Sequence, residues 1–263
     1  MTTPTTQTTF APTTETPLAP PRRSQLDYLK LAYFAEQDEV LAQQAAEKRW
    51  THLGYLERLV EGEYLRRQAR ASERRVHAAA FPQIKIIDDF DWSWPTLNEA
   101  KVRHLFRLGF IEQKTNVVFL GPTGTGKTHL ACAIAYHACQ RGHSVLFTTA
   151  VDIVNYLLEA QAAHRLRPAL KKYLNPAVLL IDELGYIPLD KAGADLLFQV
   201  ISHRYERGSL IITTNKVFKS WPETFNNDAT IASAILDRLL HRSDAIVVKG
   251  RSYRMKDVVE PAA

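Results

Sequence analysis

The chain has 263 residues, 46% of them hydrophobic and 23% charged, enough for one large core or for one core and a smaller partner domain. No apolar run approaches the ~20 residues of a membrane-spanning helix, and the N-terminus lacks the charged-then-apolar pattern of a secretion signal, so a cytoplasmic protein is expected, with no membrane partner. A net charge of +5 and a pI near 9.1 lean towards polyanionic partners without deciding for them.

In chain order, residues 1–25 form a Thr/Pro-rich tail with almost nothing to bury, and disorder is expected there. Residues 26–80 carry little glycine and no proline. Leu53, Leu56, Leu59 and Val60 recur at three-to-four spacing, which predicts a small all-α N-terminal domain. The phrase "FPQIKIIDDFDWSWP" opens a linker over 81–96, with two prolines and two tryptophans. From 97 to 257 strand-like and helical text alternate, and 258–263 is a short C-terminal tail. Strands are expected at Val117–Leu120, Ser144–Thr149, Ala177–Asp182, Leu210–Asn215 and Ala245–Lys249. Five short apolar strands with helical crossovers predict an α/β fold with a parallel five-stranded sheet and helices on both faces. Cys132 and Cys139 fall on one face of a predicted helix and read as small packing residues rather than as a zinc site.

The run "VVFLGPTGTGKTHLA" carries the first chemical signal. An apolar strand leads into Gly121, Pro122, Thr123, Gly124, Thr125, Gly126, Lys127 and Thr128, which fit G-x-x-x-x-G-K-[ST] at every fixed position; His129 follows on the helix. Glycines let successive N–H groups turn inward on a phosphate, and the helix N-terminus adds its positive dipole end. Lys127 would reach the β/γ-phosphates, and the Thr128 hydroxyl would ligate Mg²⁺.

The second signal is "AVLLIDELGYIPLD". It delivers Asp182 to the C-terminal end of a strand, where open α/β sheets bind ligands. An acid there holds Mg²⁺, and Glu183 beside it is placed to activate a water for attack on the γ-phosphate. The strand "SLIITTN" brings Asn215 towards the same crevice, where it would hold that water or sense the phosphate. Two rival enzymes are disfavoured. Asp182 to Gly185 spells D-x-x-G and Asn215-Lys216 begins N-K-x-D, but Phe218 stands where a GTPase needs the acid that reads guanine. A small-molecule kinase wants an arginine-rich lid between strands, and none is evident.

Arg238, Arg242, Arg251 and Arg254 crowd the C-terminal part. One reading makes Arg238 an arginine finger for a neighbour's γ-phosphate; the other makes all four ordinary solvated charges.

With "GPTGTGKTHLA", "VLLIDELGYIPLD", "FQVISHRYERGSLIITTN", "ILDRLLHR" and "KGRSYRMK" in that order, the chain resembles the IstB-like ATP-binding helper proteins of bacterial insertion sequences. These are AAA+ ATPases related to DnaC-type helicase loaders and to the DnaA initiator. The resemblance runs from about Leu26 to Lys256. It implies a P-loop NTPase sheet of AAA+ type and ATP with Mg²⁺ as ligands. By the same resemblance Lys127 and Thr128 are the phosphate-loop pair, Asp182 the magnesium acid, Glu183 the water acid and Asn215 the first sensor. Arg238 would be the trans-acting finger and Arg254 the second sensor, with Arg242 and Arg251 close enough to be confused with them. Proteins of this kind are similar in assembling as ATP-bound homo-oligomers on duplex DNA and in recruiting and stimulating a transposase. A helicase loader and a non-hydrolysing ATP-bound scaffold are the alternatives.

A DNA-binding surface has two candidates. In "YLERLVEGEYLRRQARASERR", Arg66, Arg67, Arg70 and Arg74 fall within an arc of about 100°, with Leu53, Leu56 and Val60 expected as a separate packing face. The stripe either tracks phosphates with little sequence preference, or is a solvated face balanced by Glu57, Glu61, Glu63 and Glu73. In "HRLRPALKK", Lys171 and Lys172 are either phosphate contacts or basic residues at a helix C-terminus.

Overall fold

A computed structural model of the chain describes residues 21–255. Most of the expected Thr/Pro-rich tail and the C-terminal tail at 258–263 lie outside the described residues. The chain divides into two compact units, 1–69 and 70–263.

The first unit is helical. Helix α1 (Arg22–Tyr28) leads to α2 (Ala32–Glu47) and to the long α3 (His52–Ala78), within which the division between the units falls. The packing face of α3 differs from the expected one. Leu53, Leu56 and Val60 are 64%, 48% and 52% exposed, so they form no packing face in this unit, whereas Leu59 and Glu63 are buried. Tyr55, Leu59, Gly62, Glu63 and Arg66 follow helical spacing and make the inward stripe instead. Polar groups build half of it: Glu63 Oε2 accepts the Tyr33 backbone N–H at 2.8 Å, Arg66 grips Glu36 at 2.6 and 2.8 Å, and the Tyr55 hydroxyl donates to the Asp38 carbonyl. Apolar spacing alone cannot announce such a face. The ring of Tyr33 lies where any Cβ at position 62 would be, which accounts for Gly62 in mid-helix. Burial works against the charge of Glu63, yet hydrogen bonds from Arg67 and the Tyr33 amide, with Arg66 nearby, hold its carboxyl below the usual carboxylate range.

The second unit is a three-layer α/β domain. After α4 (Glu99–Leu105) and the one-turn α5 (Gly109–Glu112), the chain runs β1 (Asn116–Leu120), α6 (Lys127–Gln140), β2 (Val145–Thr149), α7 (Ala150–Ala162), α8 (Leu166–Leu174), β3 (Val178–Leu184), α9 (Lys191–Arg204), β4 (Ser209–Thr214), α10 (Trp221–Thr224), α11 (Ala229–Leu240) and β5 (Ser243–Val247). The sheet is wholly parallel, in the order β2-β3-β4-β1-β5. Successive strand side chains enter opposite layers, as the pleat requires. Val118, Leu179, Ile181, Leu210 and Ile212 pack with α7, α9 and α11, while Val117, Phe119, Leu180 and Ile211 pack with α4, α5 and α6. The crossovers begin on side-chain caps: Thr149 accepts the Asp152 N–H, Asp190 that of Gly193, and Asp228 those of Thr230 and Ile231.

Two features bear on the site. Because β4 lies between β1 and β3, its C-terminal end separates the loop after β1 from the end of β3. The stretch after α3, expected to be a linker, is instead fastened to this domain. Phe81 and Ile87 pack in the α6 layer, and Thr96 and Lys249 exchange two backbone hydrogen bonds of 2.7 and 2.9 Å.

Candidate nucleotide-binding site

The loop between β1 and α6 is shaped by close approach on both sides. A side chain at Gly121 would collide with the Val248 carbonyl, and Gly126, at φ 91°, caps α6 under the ring of Phe90. Lys127 opens α6 and is 6% exposed; its Nζ donates to the Pro122 carbonyl at 2.6 Å, and Thr125 Oγ1 donates to the same oxygen. Burial lowers the pKa of Lys127 and Arg254 adds to the effect, while Asp182 and Glu183 oppose it. An ammonium so desolvated gains strongly from an incoming polyanion.

Thr128 Oγ1 donates to Asp182 at 2.9 Å (Oδ1) and 3.2 Å (Oδ2). Asp182, 6% exposed, ends the regular part of β3. Pairing with β4 then slips between Ile181 and Leu184, and Glu183 takes a left-handed φ of 58°. This bulge carries β3 two residues beyond the expected end at Asp182 and leaves the Glu183 side chain exposed on the cavity wall.

The cavity has a volume of about 550 Å³, within the range of small-ligand and cofactor sites. Its floor is the run from Thr123 to His129, with Glu183, Tyr186 and Thr213 on one side. The expected linker builds another wall, through Phe90, Trp94 and Pro95 among others. His129 Nε2 donates to the Ile86 carbonyl at 2.9 Å and its ring meets Phe90 edge-on, tying that wall to the first turn of α6. The C-terminal segment closes the site: Tyr253 N–H donates to the Gly124 carbonyl at 2.8 Å, Trp94 meets Tyr253 edge-on, and Arg254 lines the cavity. A glycine-rich loop opening a helix, a desolvated lysine, a hydroxyl–carboxylate pair and an arginine converge here. That constellation suits a nucleoside triphosphate.

The profile of the IstB-like ATP binding protein family matches residues 24–260. The chain belongs to that family. Among the relatives of this IstB-like protein, an insertion sequence IS5376 putative ATP-binding protein from Geobacillus stearothermophilus is 41% identical over 230 residues, covering 87% of this chain and 91% of the relative. An IS21 putative ATP-binding protein from Pseudomonas aeruginosa is 39% identical over 233 residues, 88% of each chain. Solved structures share the fold at low identity. DnaI superposes with a TM-score of 0.52 at 19% identity, over 62% of this chain and 90% of that one. The replication initiator DnaA bound to AMPPCP and single-stranded DNA gives 0.52 at 17%, over 65% and 50%. The domain has the fold of a P-loop NTPase of AAA+ type, a five-stranded parallel sheet with helices on both faces.

Within the IstB-like protein the expected site residues separate into three groups. Thr123 to His129, Glu183 and Arg254 line the cavity, with Gly121, Pro122 and Asp182 directly behind them. Arg251 points its carbonyl at Trp94 Nε1 and is absent from the cavity wall, which distinguishes it from Arg254. Asn215 lies just beyond β4, and its buried Oδ1 has no hydrogen-bond partner; Thr213, two residues earlier, is the β4 residue on the cavity. Arg238 does not reach its own chain's cavity. It donates to the Ala234 carbonyl at 2.9 Å, lies over the Phe198 ring and edges an open depression on α11.

The basic candidates divide as well. Arg66 pairs with Glu36, and Arg67 with Glu63 and the Lys30 carbonyl, whereas Arg70 and Arg74 are exposed and take part in none of the ion pairs found among the described residues. Lys171 and Lys172 occupy the last turn of α8, with Lys172 Nζ 4.3 Å from the Tyr156 ring centre. Sequence reasoning missed the Phe90–Trp94 wall and Thr213. The aromatic density of "DDFDWSWP" was the available signal for the wall, and the polar end of "SLIITTN" for the threonine.

Among the described residues no helix is long and apolar enough to cross a membrane.

Proposed function

We propose that this protein is an ATP-hydrolysing helper of insertion-sequence transposition, which assembles with ATP on duplex DNA, recruits its transposase in the cytoplasm and is remodelled by hydrolysis. The observation that carries the reading is the joint presence, at one cavity, of Lys127, Thr128 with Asp182 bonded directly behind it, and the Glu183 carboxylate. Lys127 would exchange the Pro122 carbonyl for β- and γ-phosphate oxygens, and the loop amides would orient the chain of phosphates. Glu183, free of internal partners among the described side-chain hydrogen bonds, would take a proton from the attacking water. Arg254 would hold the triphosphate from the C-terminal side.

The oxygen pair of Thr128 and Asp182 fits Mg²⁺. No cluster of three or more His, Cys, Asp or Glu occurs among the described residues, and magnesium is commonly held by one or two protein oxygens together with substrate phosphates. When bound, the ion supplies neutralisation of the phosphate charge. Arg238 stands away from its own cavity, half-buried beside an open depression on α11, which supports a role on a neighbour's γ-phosphate. Exposed Arg70, Arg74 and Lys171 support backbone contacts to DNA, whose affinity would fall steeply with salt.

The resemblance of the sequence motifs to DnaC-type loaders keeps a helicase loader as the second reading, and co-purification of a transposase or of a helicase separates the two. Phosphate release measured with and without long duplex DNA tests the main reading. Mg²⁺-dependent turnover that rises with duplex is expected; ATP binding without turnover would leave only a scaffold.

A further inference from the structure

We propose that Thr213 is a positioning residue of the hydrolytic site, whose single hydroxyl holds both the Asp182 carboxylate and the bulge that presents Glu183. The inference rests on the ATPase reading and adds a residue that the motif pattern did not assign.

The geometry begins with the register slip. Ile181 pairs with Ile212 and Leu184 with Thr214, so Asp182 and Glu183 together stand opposite Thr213 alone. A bulge of this kind leaves backbone groups without ladder partners. Thr213 answers that need with its side chain: the Glu183 N–H donates to Thr213 Oγ1 at 3.0 Å, and Thr213 Oγ1 donates its own proton to Asp182 Oδ1. The roles are fixed by chemistry, since an amide N–H can only donate and a carboxylate can only accept. Thr213 itself is buried, 2% exposed. The same Asp182 oxygen accepts from Thr128, and a chain of contacts therefore runs from the first turn of α6 through Asp182 and Thr213 to the backbone of Glu183. Position in the sheet explains why β4 supplies the link: its end lies between the loop after β1 and the end of β3.

Removing the hydroxyl at constant shape isolates this role. In Thr213→Val, Glu183 keeps its side chain but loses the bond that fixes its backbone, and Asp182 loses one of its two hydroxyl partners. Hydrogen bonds to charged groups are strong enough that turnover should fall about ten- to a hundredfold. The phosphate loop is untouched, so ATP affinity should stay within about threefold, a split between turnover and binding that a merely structural residue would not produce. Thr213→Ser restores the hydroxyl and should recover most of the turnover.

The experiment measures ATP affinity, maximal turnover and thermal stability for the full chain and for both variants. Turnover lost in Val and recovered in Ser, at preserved affinity, is the expected result. Val turning over like the unmodified chain, or losing ATP binding in parallel, would overturn the inference alone. An unmodified chain that binds ATP without any turnover would bring down the ATPase reading and the inference with it. If Thr213→Val does not fold, Thr213→Ala takes its place under the same expectations.

Discussion

Glu183 joins strain and chemistry in one residue, and substitution separates them. Its φ of 58° puts an unbranched but non-glycine residue in left-handed backbone, at a cost of about 1–2 kcal/mol. Glu183→Gln keeps that backbone and gives up no internal hydrogen bond of the side chain, so stability should change by less than about 0.5 kcal/mol. Turnover should fall about 10²- to 10⁴-fold, the range for removing a general base, which is roughly 3–5.5 kcal/mol of barrier. Glu183→Gly should be equally inactive yet slightly stabilised. Relief of the strain offsets the about 0.4–1 kcal/mol that glycine adds to unfolded-state entropy, leaving about 0–1.6 kcal/mol, a rise in Tm of about 2–4 °C for each kcal/mol gained. Phosphate release at saturating ATP, titration with a labelled nucleotide and thermal melting give the three quantities. A glutamine variant that turns over within threefold of the parent, or that no longer binds ATP, would refute the role given to Glu183.

Further substitutions probe the scaffold and the basic surface. Arg204 is buried and donates to five backbone carbonyls, those of Tyr173, Leu174, Pro176, Ala177 and Ser209, with burial lowering its pKa to about 10; Arg204→Met should cost about 3–5 kcal/mol in a chemical denaturation curve. Glu63 has a depressed pKa, so its contribution to stability is present above the ordinary value of 4.5 and is lost as pH falls through the lower folded value. Protection of the Tyr33 amide against hydrogen exchange, relative to the intrinsic rate, should therefore fall below about pH 4.5, and Glu63→Gln should abolish that acid step. For DNA, Arg70→Ala and Arg74→Ala should each reduce the slope of log affinity on log salt by about 0.9. Arg66→Ala should instead loosen α2 from α3 by freeing Glu36, a difference that circular dichroism and binding titrations together reveal.

Much of the fold and of the phosphate end of the site was legible because it is local. The glycine spacing of the loop, the apolar run ending in Asp182 and the helical spacing after Thr128 each act within a dozen residues. What escaped is non-local or polar. The Phe90–Trp94 wall depends on Thr96 pairing with Lys249, far along the chain, and nothing in the text of 81–96 announces that partner. The inward stripe of α3 escaped because Glu63 is buried and Arg66 half-buried through pairing rather than hydrophobicity, while Leu53, Leu56 and Val60, which also fit the pattern, face outward. The bulge at Glu183 escaped because no glycine marks it; Gly185, two residues later, is the nearest sign of unusual backbone.

Completion of one copy's pocket by its neighbour on DNA is the central claim, and a mixing experiment tests it most directly. Glu183→Gln subunits retain Arg238, and Arg238→Ala subunits retain the whole cavity, so each alone should be nearly inactive with Mg²⁺, ATP and long duplex. Mixed in equal amounts they should recover about a quarter of the parent turnover, because one randomly assembled interface in four joins a sound cavity to a sound arginine. A mixture no faster than the average of its two components would contradict the account.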